Sequence, residues 1–177
     1  MPRELRLLPA LALAACGLGA GDENEAADAA RDGLACTLIF PSPGLTARLE
    51  AAPGTTLPAG IYDVTVTADG QTFVLRPEVL SPGGGTCLPE DCRQEVDVGG
   101  KRLFAEISLV GSLGYLYVGY HEDGGPSPIG LEVRLGSTAY ASHTFTPTYV
   151  PVEVNGPGCG TTHQAMATVT LAAAVPP

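Results

Sequence analysis

Basic residues are scarce in this chain. Of its 177 residues, 9 are Lys or Arg and 19 are Asp or Glu, and Lys101 is the single lysine. A nucleic-acid partner requires basic side chains to neutralise phosphates, so that class is excluded. Adhesion to anionic lipid through a basic patch is excluded for the same reason. Long apolar runs are missing too. The longest, near the N-terminus, is about half of the ~20 residues a bilayer core requires, which rules out a spanning helix there. No stretch keeps a 3.6-residue apolar period, so amphipathic helices are not expected.

Familiar catalytic patterns are also missing. There is no H-x-x-x-H pair among His121, His143 and His163, and no G-x-S-x-G elbow. Ser112 lies in Gly111-Ser112-Leu113-Gly114, which has the wrong spacing for a nucleophile turn. Gly83-Gly84-Gly85 lacks the Lys-Ser/Thr ending of a phosphate loop and reads as a flexible loop. No spacing of acidic residues singles out a glycosidase pair. His121-Glu122-Asp123 offers three ligands in a row, but alternation along a strand sends neighbours to opposite faces, so a solvated turn is expected. Cys159 and His163 stand four apart and would suit a soft metal only if the thiol were free. The reading is therefore of a protein without catalytic residues, cofactor or resident metal.

What is present begins at the N-terminus. Arg3 and Arg6 precede an apolar stretch, Leu7 to Ala15, that ends in small residues and a cysteine. Leu13-Ala14-Ala15-Cys16 resembles the lipobox of bacterial lipoproteins. The resemblance implies that residues 1–15 are a signal peptide, that Cys16 is diacylated, and that the chain is anchored to a membrane by lipid. Gly17 stands where such lipoproteins often carry an inner-membrane retention Asp, which implies transport to the outer membrane. Removing residues 1–15 takes away Arg3, Glu4 and Arg6 and leaves 7 basic against 18 acidic residues, a net charge of −11. Residues 16–33 carry Asp22, Glu23, Glu25, Asp28 and Asp32 with no apolar stripe and read as an acidic tether.

Once Cys16 is assigned to lipid, Cys36, Cys87, Cys92 and Cys159 remain. An even set beyond an export signal reads as two disulfides. Of the three pairings, Cys87–Cys92 with Cys36–Cys159 is favoured. The first closes a tight loop around Pro89, and the second ties the first predicted strand to the segment before the last one. Chain entropy assigns about 2 kcal/mol to the short loop and roughly 4–5 to the long one.

Residues 34–177 form one domain, long enough for a real core. Strict alternation dominates. In Ile61–Ala68, Tyr62, Val64, Val66 and Ala68 face one way and Asp63, Thr65 and Thr67 the other. Asp69-Gly70 is the strongest signal for a two-residue hairpin turn, and Gln71–Arg76 returns as the partner strand, ended by Pro77. Further strands are predicted at Ala35–Phe40, Thr46–Ala51, Leu103–Val110, Tyr115–Tyr120, Leu131–Leu135, Ser137–Thr146, Tyr149–Val154 and Ala165–Ala172. Leu103, Ala105, Ile107 and Leu109 form one inward face; Leu116, Val118 and Tyr120 form another. Pro147 and Pro151 place their segment at an edge or at a crossing between sheets. Some eight or nine strands at this spacing give an all-β sandwich.

Leu57 to Gly70 resembles the G-x-Y-x-V-x-V strand of bacterial immunoglobulin-like and carboxypeptidase-regulatory-like domains. Thr146-Pro147-Thr148-Tyr149, Asn155-Gly156-Pro157-Gly158-Cys159 and Ala167-Thr168-Val169-Thr170-Leu171 are similar to the ends of small bacterial lipoproteins that carry such domains. The resemblance implies an immunoglobulin-like sandwich with no catalytic residues. The chain departs from antibody domains in having no Trp. The expected role is binding, scaffolding or envelope structure, with a protein or glycan partner. The alternative is a metal- or carbohydrate-binding accessory module, with Tyr115 and Tyr117 on one strand face and Tyr120 on the other. The loops Ser81–Asp91 and Glu122–Pro128 are the expected contact surfaces.

Overall fold

A computed structural model describes residues 42–80, 84–111, 113–153 and 160–173. Alternating apolar residues flatten most of this chain into strands, because a period of two puts every second side chain on one face. In chain order these are β1 (Gly44–Ala51), β2 (Gly60–Ala68), β3 (Gln71–Leu75), β4 (Glu78–Leu80), β5 (Gly84–Thr86), β6 (Arg93–Val98), β7 (Lys101–Ser108), β8 (Gly114–Tyr120), β9 (Ile129–Leu135), β10 (Thr138–Phe145), β11 (Val150–Val152) and β12 (Thr162–Leu171). One short helix, α1 (Pro89–Cys92), precedes β6.

The strands make two six-stranded sheets packed as a sandwich. Sheet I runs β11-β12-β1-β8-β7-β6. Sheet II runs β10-β9-β2-β4-β5, with β3 also paired to β2. The first and last strands, β1 and β12, lie parallel at the middle of sheet I. Every other pairing is antiparallel.

The inward faces follow the alternation. Leu45, Ala47, Leu49, Leu103, Ala105, Ile107, Leu116, Val118, Val169 and Leu171 come from sheet I. Tyr62, Val64, Val66, Phe73, Leu75, Val79, Ile129, Leu131 and Val133 come from sheet II. Tyr62 is fully buried, and its hydroxyl donates to the Pro58 carbonyl at 2.9 Å. Burial pushes that phenol up to about 12.

The predicted Asp69-Gly70 turn is present, with Asp69 at φ 46° and Gly70 at φ 72°, the left-handed pair that a twisted hairpin needs. Pro77 interrupts pairing along β2: β3 covers Val64–Ala68, and β4 resumes at Gly60 and Ile61. Pro151 sits in β11, an edge strand that carries the chain from sheet II to sheet I.

Three strands lie beyond those expected from sequence. They are β4 and β5, three residues each and too short to show alternation, and β6, whose polar start Arg93-Gln94-Glu95 hides an alternating burial. Gly84 and Gly85, expected in a flexible loop, pair with β4 instead. The predicted strand Ala35–Phe40 lies outside the described residues.

A side chain closes one side of the sandwich and a backbone hydrogen bond the other. The Gln94 amide of β6 receives the Val74 N–H at 3.1 Å and donates to the Val74 carbonyl at 2.9 Å, imitating one rung of a β-ladder between sheets. Opposite, the Ala172 N–H donates to the Tyr140 carbonyl at 3.0 Å. The Tyr120 hydroxyl donates to Asp69 across the end of the sandwich.

Candidate functional site

The Cys87–Cys92 disulfide is formed, with Cα atoms 5.8 Å apart, and staples α1 where the chain crosses from β5 to β6. Asp91 anchors the same crossing, its carbonyl accepting the Arg76 N–H at 2.8 Å. Cys16, Cys36 and Cys159 lie outside the described residues, as does Ser112.

His121, Glu122 and Asp123 lie in the turn that follows β8 and diverge. His121 lies 3.2 Å from Glu95 and packs on Phe104 with ring centroids 5.0 Å apart. Glu122 accepts the Arg102 N–H at 3.4 Å. Asp123 turns to β12. Its carboxylate accepts the His163 N–H at 2.7 Å, the Gly124 N–H at 2.8 Å and the Thr162 hydroxyl at 3.3 Å, and it meets the His163 ring at 2.5 Å. These contacts, the His163 N–H above all, hold the Asp123 carboxyl below the usual carboxylate range. The Tyr149 hydroxyl donates to the Pro126 carbonyl at 2.7 Å, in the same loop. Glu122–Pro128, an expected contact surface, is tied to its own sandwich through Glu122, Asp123 and Pro126. His143 stands alone on β10 against Phe145. Among the described residues, no three His, Cys, Asp or Glu side chains group closely enough to share an ion.

The most developed surface is the outer face of sheet I. Register builds it in rows, because residues opposite one another in neighbouring strands point the same way. Met166, Thr46, Tyr117, Glu106 and Arg93 form one row across β12, β1, β8, β7 and β6. Thr168, Arg48, Tyr115 and Ser108 form the next. Tyr115 and Tyr117 are half-buried, with ring centroids 6.3 Å apart and planes 31° from parallel. Tyr120 points inward, as alternation predicts. A trough of about 410 Å³ runs beside Tyr115 over Thr46, Arg48, Met166, Ala167 and Thr168. The small Thr46 separates Tyr117 on β8 from Met166, which is 82% exposed.

Paired charges frame the face. Arg48 meets Glu50 at 2.6 Å. Arg93 meets Glu95 at 2.6 Å and Glu106 at 2.7 Å, with its guanidinium 5.5 Å above the centre of the Phe104 ring. The hydrogen bond from Arg93 holds Glu95 below the usual carboxylate range. Burial, then Glu106, raises the Tyr117 phenol. Alternation located both tyrosines from sequence. Met166, Thr46 and Arg48 were not identified, because only the β12–β1–β8 register brings them beside the tyrosines.

No protein-family model, curated protein or solved structure matches this chain.

Proposed function

We propose that this chain is a lipid-anchored β-sandwich of the bacterial cell envelope that acts by binding rather than catalysis. The Leu-Ala-Ala-Cys ending of an export-like segment supports the anchor at Cys16 and an outer-membrane location. The acidic residues of segment 17–33 would space the domain from the bilayer. The observation that carries the binding role is the outer face of sheet I. Two half-exposed tyrosines on a central strand, beside a trough and framed by paired charges, exceed what a merely solvated sheet face needs.

Two further features support a non-catalytic role. Both histidine–carboxylate pairs among the described residues brace structure: His163 with Asp123 ties a loop to β12, and His121 with Glu95 covers Phe104. Among the described residues, neither pair is joined by a serine, cysteine or threonine placed as a nucleophile, Thr162 donating to Asp123 itself.

Metabolic labelling with a radioactive fatty acid tests the anchor. Label should enter the wild-type chain and be lost in Cys16→Ser, which should accumulate as precursor. Normal maturation and undiminished label in that variant refute the reading. Proximity labelling in intact envelopes should then report a recurrent set of neighbours.

A further inference from the structure

We infer that the outer face of sheet I, over β12, β1 and β8, binds a neutral polysaccharide, stacked on Tyr115 and Tyr117 and hydrogen-bonded from the trough. This inference rests on the binding role proposed above and names its ligand class.

A sugar ring presents two different surfaces. Its edge carries hydroxyls, which donate and accept together. Its axial C–H face is apolar and slightly electropositive, and so complements the electron-rich face of an aromatic ring. Tyr115 and Tyr117 supply the aromatic surface in one strip, their centroids 6.3 Å apart on a single strand. The polar partners lie on either side. Thr46, Thr168 and Arg48 line the trough beside Tyr115, and Glu106 stands next to Tyr117. The trough, about 410 Å³, falls within the ordinary range for small-ligand sites. It is open along the sheet, which suits a chain rather than an enclosed monomer.

Charge selects against anionic occupants. Arg48 is already paired with Glu50, and Arg93 with Glu95 and Glu106. Around the tyrosines carboxylates thus outnumber guanidiniums, and the whole chain carries a net charge of −10. An acidic glycan, an anionic lipid headgroup or a nucleic acid meets repulsion here. So does a second copy of the chain, which brings the same excess of carboxylate to a shared interface. A neutral polyol meets none. The ion pairs instead hold carboxylate and guanidinium edges in fixed positions, where vicinal hydroxyls can accept from Arg and donate to Glu. Met166 adds an adaptable apolar wall.

Affinity electrophoresis of the full chain tests this. The gels would contain a soluble β-glucan, a mannan, a galactan or a starch, with alginate as the anionic control. At least one neutral polysaccharide should retard the protein, and alginate should not. Tyr115→Ala and Tyr117→Ala should each weaken the retardation at least tenfold. Thr46→Arg, which fills the trough from the solvent side without touching the core, should do the same with an unchanged melting temperature, so a folding defect in the tyrosine variants cannot imitate the result. Absence of retardation by all four neutral polysaccharides overturns the inference. Retardation that survives Tyr117→Ala and Thr46→Arg also overturns it, as does equal retardation by alginate. A dimer in sedimentation that Met166→Glu dissolves would assign the face to a second copy instead. A chain that binds no polysaccharide yet is acylated at Cys16 and labels envelope neighbours leaves the envelope reading standing and removes only the glycan.

Discussion

Asp123 uses both carboxylate oxygens within its own fold: Oδ1 accepts from His163, Gly124 and Thr162, and Oδ2 meets the His163 ring. Its carboxyl is held below the usual range, so the stabilisation is present above the unfolded-state pKa and is lost as pH falls through the folded one. Asp123→Asn should therefore lower the urea midpoint at pH 7. The gap to wild type should narrow through the acid range, as the wild-type carboxyl protonates. A gap that stays constant from pH 7 to pH 3 would mean that the charge plays no part. A sharper contrast concerns neighbours on β2. Val64 is fully buried, and Val64→Asp should cost several kcal/mol or abolish folding. Thr65 points outward opposite Glu132, so Thr65→Asp adds a like-charge pair and should cost on the order of 1 kcal/mol. Chemical denaturation of the two variants measures both.

Individual elements are joined by few but specific contacts. β6 and β3 belong to different sheets, and Gln94 binds them through both the N–H and the carbonyl of Val74. Gln94→Ala leaves two backbone groups without this partner and should cost about 1–3 kcal/mol. Amide exchange at Val74 should accelerate more than exchange at Val66 in the middle of β2. The Cys87–Cys92 bridge closes a separation of 5 residues at the crossing into β6. Reducing it should cost about 2 kcal/mol on the chain-entropy model, with β7 and β8 keeping their exchange protection. These joints were not legible in the sequence. A glutamine in a half-buried strand carries no mark of the strand it will reach, 20 residues away. The short β4 and β5 were hidden for a related reason, since three residues give too little alternation to distinguish strand from loop.

At the scale of the whole molecule, two of the five cysteines are accounted for by the bridge at α1. With Cys16 assigned to lipid, as proposed, Cys36 and Cys159 are left for each other. Peptide mapping of the non-reduced chain should recover a Cys36–Cys159 peptide, and free thiols at both positions would refute the pairing. The reading of a binding sandwich in the envelope depends on that stability, because a rigid face loses less entropy on binding than a mobile one.

Sequence alone determined the all-β class, the inward faces of β2, β7 and β8 and the Asp69-Gly70 turn; it placed Pro151 at an edge or a crossing and favoured the Cys87–Cys92 bridge among three pairings. Each depends on short-range rules: a period of two, the φ that glycine tolerates, the donor that proline lacks, and the reach of a five-residue loop. The division of Tyr115 and Tyr117 from Tyr120 belongs with these. Tertiary structure alone decided that β1 pairs in parallel with β12, and this brings Thr46 and Arg48 beside Met166 and Thr168. It alone ties Glu122–Pro128 to β12, through a carboxylate that meets a histidine 40 residues away. Local rules fix which way a side chain faces. Only register between distant strands fixes what it faces alongside, and the outer face of sheet I is made by that register.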